Sequence, residues 1–148
     1  MNPEIIDHSA IRPLRFRVLW PHKASAAECV LAIDTALDTF HCAVKQHGEV
    51  VACCTLYPES CERFPGTGVY RLRAMATAPE VRGQGAGKRM LQFALEECAR
   101  RGANVVWCDA RLKAVPFYHA LGFDALPEVY EVPLIGPHQF MWKILDHA

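Results

Sequence analysis

The chain has 148 residues, the length of about one domain. Its 51% hydrophobic and 22% charged residues argue against intrinsic disorder. Sixteen Lys and Arg balance sixteen Asp and Glu, which disfavours general nucleic-acid binding, a role that needs an excess of basic charge. No apolar run reaches the length of a membrane span, and the start Met1-Asn2-Pro3-Glu4-Ile5-Ile6-Asp7-His8 has no basic region leading into an apolar stretch. A secretory signal, a membrane span and nucleic-acid binding are therefore not expected.

Ile11, Leu14, Val18 and Leu19 fall near one helical face, with Arg12, Arg15 and Arg17 between them, so 11–19 reads as a short amphipathic helix. The stretch 21–38 has no single period and reads as mixed helix and loop. Residues 39–45 and 49–57 are strand-like and flank the turn Gln46-His47-Gly48, which predicts a hairpin. Gly66-Thr67-Gly68 breaks the chain, and 70–77 is a strand that ends before Pro79.

Between residues 85 and 101 the apolar positions Ala86, Met90, Leu91, Ala94, Leu95 and Cys98 have helical spacing, closed by Gly102. Residues 104–110 form a nearly continuous apolar strand. A second helix over 114–121 is closed by Gly122, and Pro116 is tolerated there if it falls in the first turn. Two further strands are expected near 128–133 and 138–145. The order predicts one α/β domain over 1–148, with a largely antiparallel sheet and one parallel crossover.

The seven cysteines (Cys29, Cys42, Cys53, Cys54, Cys61, Cys98 and Cys108) are odd in number and contain no Cys-x-x-Cys. They read as small buried hydrophobes in a reducing, cytoplasmic compartment, with no metal expected.

The segment Arg82-Gly83-Gln84-Gly85-Ala86-Gly87-Lys88-Arg89 lies between a strand and a long helix. Alternating glycines let the backbone approach a ligand, and the helix start adds partial positive charge, which suits a pyrophosphate. A Walker loop fails at Arg82, where its first glycine belongs, and at Arg89, where Ser or Thr is needed. The dinucleotide fingerprint fails at Lys88 or at Met90, depending on the starting glycine.

The pattern that fits is Arg-x-x-Gly-x-Gly. With Met75-Ala-Thr-Ala-Pro-Glu-Val before it and Ala114-Val-Pro-Phe-Tyr-His-Ala-Leu-Gly-Phe123 after it, the chain resembles the GNAT acetyltransferase superfamily over roughly 39–145. The resemblance implies a GNAT fold: a mixed, mostly antiparallel twisted sheet with a splayed parallel strand pair and flanking helices. It also implies acetyl-CoA as co-substrate. The loop Arg82, Gly83, Gln84, Gly85, Ala86, Gly87 and Lys88 would take the pyrophosphate. The backbones of Met75 and Thr77 would pair with pantetheine, and the strand 105–110 would form the other wall. Tyr118 matches a tyrosine that lies near the coenzyme sulfur in many members, where it protonates the departing thiolate. Many relatives have Asn where this chain has Arg111, so Arg111 either loses that coenzyme contact or serves the phosphates.

The edges of the chain resemble a narrower, poorly characterised subgroup, through Ile11-Arg-Pro-Leu-Arg15, Trp107-Cys-Asp-Ala-Arg111 and Glu131-Val-Pro-Leu-Ile-Gly-Pro-His138. The last lies where the family builds its acceptor pocket, so Glu131 and His138 are candidates for the base. Arg12 and Arg15, three residues apart on a helix, would hold an acceptor carboxylate. The implied reaction is acetyl transfer to a primary amine of a small molecule by direct attack. The alternatives are a non-catalytic acyl-CoA module on the same fold and a nucleotide-phosphate binder. The acceptor's identity and a homodimer are left open.

Overall fold

The computed structural model describes residues 2–146. Its strands are β1 (Pro3–Ile6), β2 (Phe40–Gln46), β3 (Glu49–Pro58), β4 (Val69–Thr77), β5 (Val105–Arg111), β6 (Asp124–Val132) and β7 (Gly136–Ile144). Among the described residues they form a seven-stranded sheet in the order β1-β2-β3-β4-β5-β7-β6. Every neighbouring pair is antiparallel except β4 and β5, which are parallel. Helix α2 (Ala86–Arg100) supplies the crossover between them. Its Met90, Leu91, Ala94, Leu95 and Cys98 are buried, the stripe that the helical spacing defines.

The hairpin turn is two residues long, because Gln46 continues β2 to pair with Glu49. His47 and Gly48 have φ of 53° and 80°, the left-handed pair that matches the twist of the flanking strands. The second short helix, α3 (Val115–Ala120), starts so that Pro116 falls in its first turn, where no N–H is lost. Edge strand β1 was not expected. Its Pro-Glu-Ile-Ile is too short to show an alternation, and only pairing with β2 makes it a strand.

The N-terminal helical segment is longer than its apolar stripe. A 3-10 turn (His8–Ile11), α1 (Arg12–Leu14) and a π turn (Arg15–Leu19) run on continuously. The stretch after it contains two 3-10 turns, Ala26–Glu28 and Ala32–Thr35, and is held by a buried ion pair. Arg15 Nη1 and Nη2 donate to Asp34 Oδ2 at 2.7 Å and Oδ1 at 2.9 Å, with side-chain exposures of 0% and 3%. Arg15 also donates to the Cys29 carbonyl at 3.1 Å and to Thr55 Oγ1 on β3 at 2.8 Å. Because Asp34's carbonyl can only accept, His41 Nε2 donates to it at 3.0 Å, so Nδ1 accepts from the Thr55 hydroxyl at 2.7 Å. One connected network thus fastens the helical segment and the 3-10 turns to the sheet.

Arg15→Met leaves a buried Asp34 carboxylate without its partner and is expected to cost about 3–5 kcal/mol. The double variant Arg15→Met/Asp34→Leu is expected to recover much of that loss in urea unfolding.

The same network sets an acid response. Burial lowers the His41 pKa, although Asp34 acts against it. Burial alone would raise Asp34, but its hydrogen bonds from Arg15 and Leu31 more than offset this, and its pKa is lowered overall. A lowered histidine pKa gives stability that is complete above about pH 6.5 and is lost as the pH falls below it. The Asp34 contribution is lost only later, below the usual carboxylate range. Unfolding free energy is therefore expected to fall in two stages on acidification, with His41→Asn removing the upper one.

Candidate active site

Three register pairs join β4 to β5: Val69 with Val105, Tyr70 with Val106, and Arg71 with Trp107. Beyond them the strands part. On its other edge β4 carries a bulge, because Cys53 pairs with Ala76 while Thr55 pairs with Arg73. Ala74, in the extra position, has φ of 54°. A cleft of about 610 Å³ occupies the parting and is walled by β4 from Arg71 to Thr77 and β5 from Cys108 to Arg111.

On one face of the sheet the cleft meets α2. Gly83 and Gly85 have φ of 82° and 84°, which side chains rarely adopt. The first intrahelical bond of α2 runs from Arg89 N to Gly85 O at 3.0 Å, so the N–H groups of Ala86, Gly87 and Lys88 precede the ladder and are free for an anion. A Cβ on Gly87 would come within 3.0 Å of Thr77 Oγ1 and 3.4 Å of Met75 Cε, so glycine lets α2 lie directly on β4. Arg82 Nε donates to the Thr77 carbonyl at 3.3 Å. Tyr118 of α3 lines the cleft from this side, packed edge-on against Phe117 and Phe123. Its hydroxyl makes no hydrogen bond among the described residues. Burial pushes its pKa well above the usual phenol value, which keeps the proton on the oxygen.

The opposite face carries different chemistry. Residues directly across from one another share a face. By that register Arg73 joins Thr55, and Arg111 joins His138 and Tyr130. Arg71 Nη1 donates to Glu59 Oε2 at 2.9 Å, and Nη2 donates to Asp109 Oδ2 at 2.8 Å. Tyr130 donates its hydroxyl to Asp109 Oδ1, and its ring stacks on that of His138 at 6.3 Å. His138 is buried, lines the cleft, and gives Nδ1–H to the Gly136 carbonyl at 2.8 Å. In the neutral ring that leaves Nε2 with its lone pair. Val18 and Leu19 of the helical segment, and Trp20 just after it, close this side.

The structure thus brings Met75, Thr77, Arg82, Gly83, Ala86, Gly87, Tyr118 and His138 together on one cleft. Gln84, Gly85 and Lys88 belong to the loop but not to the cleft wall. Glu131 is exposed on β6 and alternates away from its neighbours Tyr130 and Val132, so it is not brought to His138. Arg111 lines the cleft on the face opposite α2, where its Nη2 donates to the Leu19 carbonyl at 3.0 Å. The arginine pair expected to hold an acceptor carboxylate is corrected. Arg15 is wholly buried on Asp34, and Arg12 Nη2 donates to His8 Nδ1 at 2.9 Å outside the cleft.

Sequence reasoning missed Arg71, Arg73, Asp109 and Tyr130. Their signal was the period-two placement of Arg71 with Arg73 and of Trp107, Asp109 and Arg111, polar positions recurring on one side of two apolar strands. Arg89 was also missed. Its guanidinium lies 3.7 Å from where a Gly85 Cβ would stand and adds charge at the loop.

The model of the acetyltransferase (GNAT) family matches residues 7–123. The chain is 35% identical over 132 residues to the uncharacterized N-acetyltransferase YitI of Bacillus subtilis (strain 168), covering 89% of this chain and 88% of that protein. Among solved structures it resembles Escherichia coli ElaA, with a TM-score of 0.76 and 21% identity over 96% of this chain and 98% of the other. It also resembles an aminoglycoside 6'-N-acetyltransferase complexed with coenzyme A, with a TM-score of 0.77 and 18% identity over 97% of each chain.

Gly85→Asp is expected to abolish coenzyme A binding measured by calorimetry, because it sets a carboxylate where phosphates would sit. Asn shares the size of Asp and its tolerance of positive φ. Gly85→Asn is therefore expected to retain more affinity, which separates charge from backbone strain.

Proposed function

The chain belongs to the acetyltransferase (GNAT) family, and from that membership we propose that it transfers the acetyl group of acetyl-CoA to a primary amine by direct attack. Acyl transfer from coenzyme A to an amine is the family's general chemistry. The observation that carries the finer reading is the parting of β4 and β5, with Tyr118 lining it on the α2 side and the free Nε2 of His138 belonging to the other face.

In this reading the pyrophosphate lies on the loop from Arg82 to Lys88, beside Arg89. The pantetheine arm lies in the gap, against the backbone that β4 exposes from Leu72 to Thr77. A β4 N–H polarises the thioester carbonyl. The amine nitrogen bonds to the thioester carbon and gives its proton to His138 Nε2. The carbon–sulfur bond breaks, and the departing thiolate takes the Tyr118 proton. A phenol with a raised pKa is a donor at neutral pH, and a histidine whose other nitrogen is tied to a carbonyl is an acceptor. Seven free cysteines, with Cys42 and Cys54 directly opposed across β2 and β3, support a reducing, cytoplasmic setting.

Tyr118→Phe is expected to retain coenzyme affinity and packing while lowering turnover by about 10²- to 10⁴-fold. His138→Gln is expected to lower turnover while leaving coenzyme affinity in place. Thiol release from acetyl-CoA with a panel of amines reads both variants. Wild-type turnover in Tyr118→Phe, with chemistry limiting, would remove it from the mechanism. Coenzyme binding without thiol release from any amine would favour the non-catalytic acyl-CoA module.

A further inference from the structure

Several guanidinium groups in and around this cleft are matched by carboxylates. Arg15 is forked on Asp34, Arg17 on Glu80, and Arg71 on Glu59 and Asp109. Two on the His138 face are not. Arg73 is half-buried, lines the cleft, and makes no hydrogen bond or ion pair among the described residues. Arg111 is also half-buried and, among the described residues, bonds only the neutral Leu19 carbonyl. Burial lowers its pKa, the mark of a cation held away from water with no anion to offset it. Asp109, the acidic residue among those lining the cleft, relieves neither, because its two oxygens are taken by Arg71 and Tyr130.

We propose that Arg73 and Arg111, flanking the parted strands on the His138 face, form an oxyanion subsite, and that the acceptor is a small primary amine bearing a carboxylate or phosphate. The proposal rests on the acetyl-transfer reading for the amine but not for the anion. Guanidinium groups withdrawn from water bind oxyanions through charge-assisted, often bidentate hydrogen bonds. The glycine loop belongs to the α2 side of the sheet, so the coenzyme pyrophosphate does not satisfy this pair. The same cations favour the neutral form of a nearby amine, the form that attacks, and they repel an acceptor with a second ammonium. Among the described residues no uncommitted carboxylate lines the cleft to receive such an ammonium.

The test compares chain-matched acceptors with acetyl-CoA: 5-aminopentanoate, 3-aminopropyl phosphate, pentylamine and 1,5-diaminopentane. One or both anionic acceptors are expected to exceed pentylamine in kcat/KM by about tenfold or more, with the diamine lowest. The favoured anion names the source. Arg73→Gln is expected to erase the preference, mainly through KM, and Arg73→Lys to restore part of it. Equal use of pentylamine, preference for the diamine, or an equal loss on all four acceptors in Arg73→Gln would overturn the subsite. A second measurement does not depend on turnover. Pentanoate and butylphosphonate are titrated by calorimetry into protein saturated with coenzyme A. Binding that Arg73→Gln abolishes, with coenzyme affinity intact, supports the subsite even if no amine is acetylated. Absence of binding by both anions overturns it whatever the fate of the acetyl-transfer reading.

Discussion

Everything specific to this protein depends on where β4 leaves β5. Three pairs hold the strands together, and beyond Arg71 the backbone of β4 has no partner on that side. The bulge at Ala74 gives the parting its chemical meaning. In an unbroken strand Arg73, Met75 and Thr77 would all point to one face. The extra residue reverses the alternation, so Arg73 stays with Thr55 while Thr77 shares a face with Ala52 and reaches Gly87 of α2. A single strand therefore offers a cation to one side of the sheet and a close seat for α2 to the other. The left-handed φ of Ala74 is the local strain that this reversal requires.

The Arg15–Asp34 network is the second constraint, and it acts on the cleft through Val18, Leu19 and Trp20. Between Trp20 and Thr39 only Cys29 among the described apolar residues is buried, and no long helix holds the stretch down. A buried ion pair is a costly substitute for packing, but it fixes geometry, because four acceptors converge on one guanidinium. The Trp20 ring, 5.7 Å from the Arg15 guanidinium carbon, continues that order to the cleft edge. The shape of the wall thus traces to residues that never touch the cleft.

Much of this was legible in the sequence. The hairpin, α2, α3 and their glycine stops follow from periodicity and turn chemistry, and the loop from Arg82 to Gly87 is recognisable because its chemistry is local and backbone-borne. The acceptor side was less legible because it is assembled by register across four strands. Arg15 shows the difficulty well. Its helical spacing with Arg12 is real, yet only the return of the chain at Asp34 and Thr55 decides that it is a structural bond. Glu131 and His138 are seven residues apart in sequence and flank one turn, yet strand alternation sends one outward and the other into the cleft.

A chain with zero net charge conceals a cationic cleft. Among the described residues Arg71, Arg73, Arg82, Arg111 and Lys113 line it against the single carboxylate of Asp109. The compensating acids lie elsewhere, as Glu97 does on Arg100 and Arg101, and Glu80 on Arg17. Screening in salt weakens such charges when exposed, but half-buried groups facing a narrow gap keep more of their field. Part of that field would suit the phosphates of the proposed coenzyme, on the α2 face. The sheet lies between that face and Arg73 and Arg111, and register leaves those two beside the imidazole that has a free nitrogen. The division follows from the bulge: β4, turned over at Ala74, gives Arg73 to one side of the cleft and, at Thr77, a seat for α2 and its glycine loop to the other.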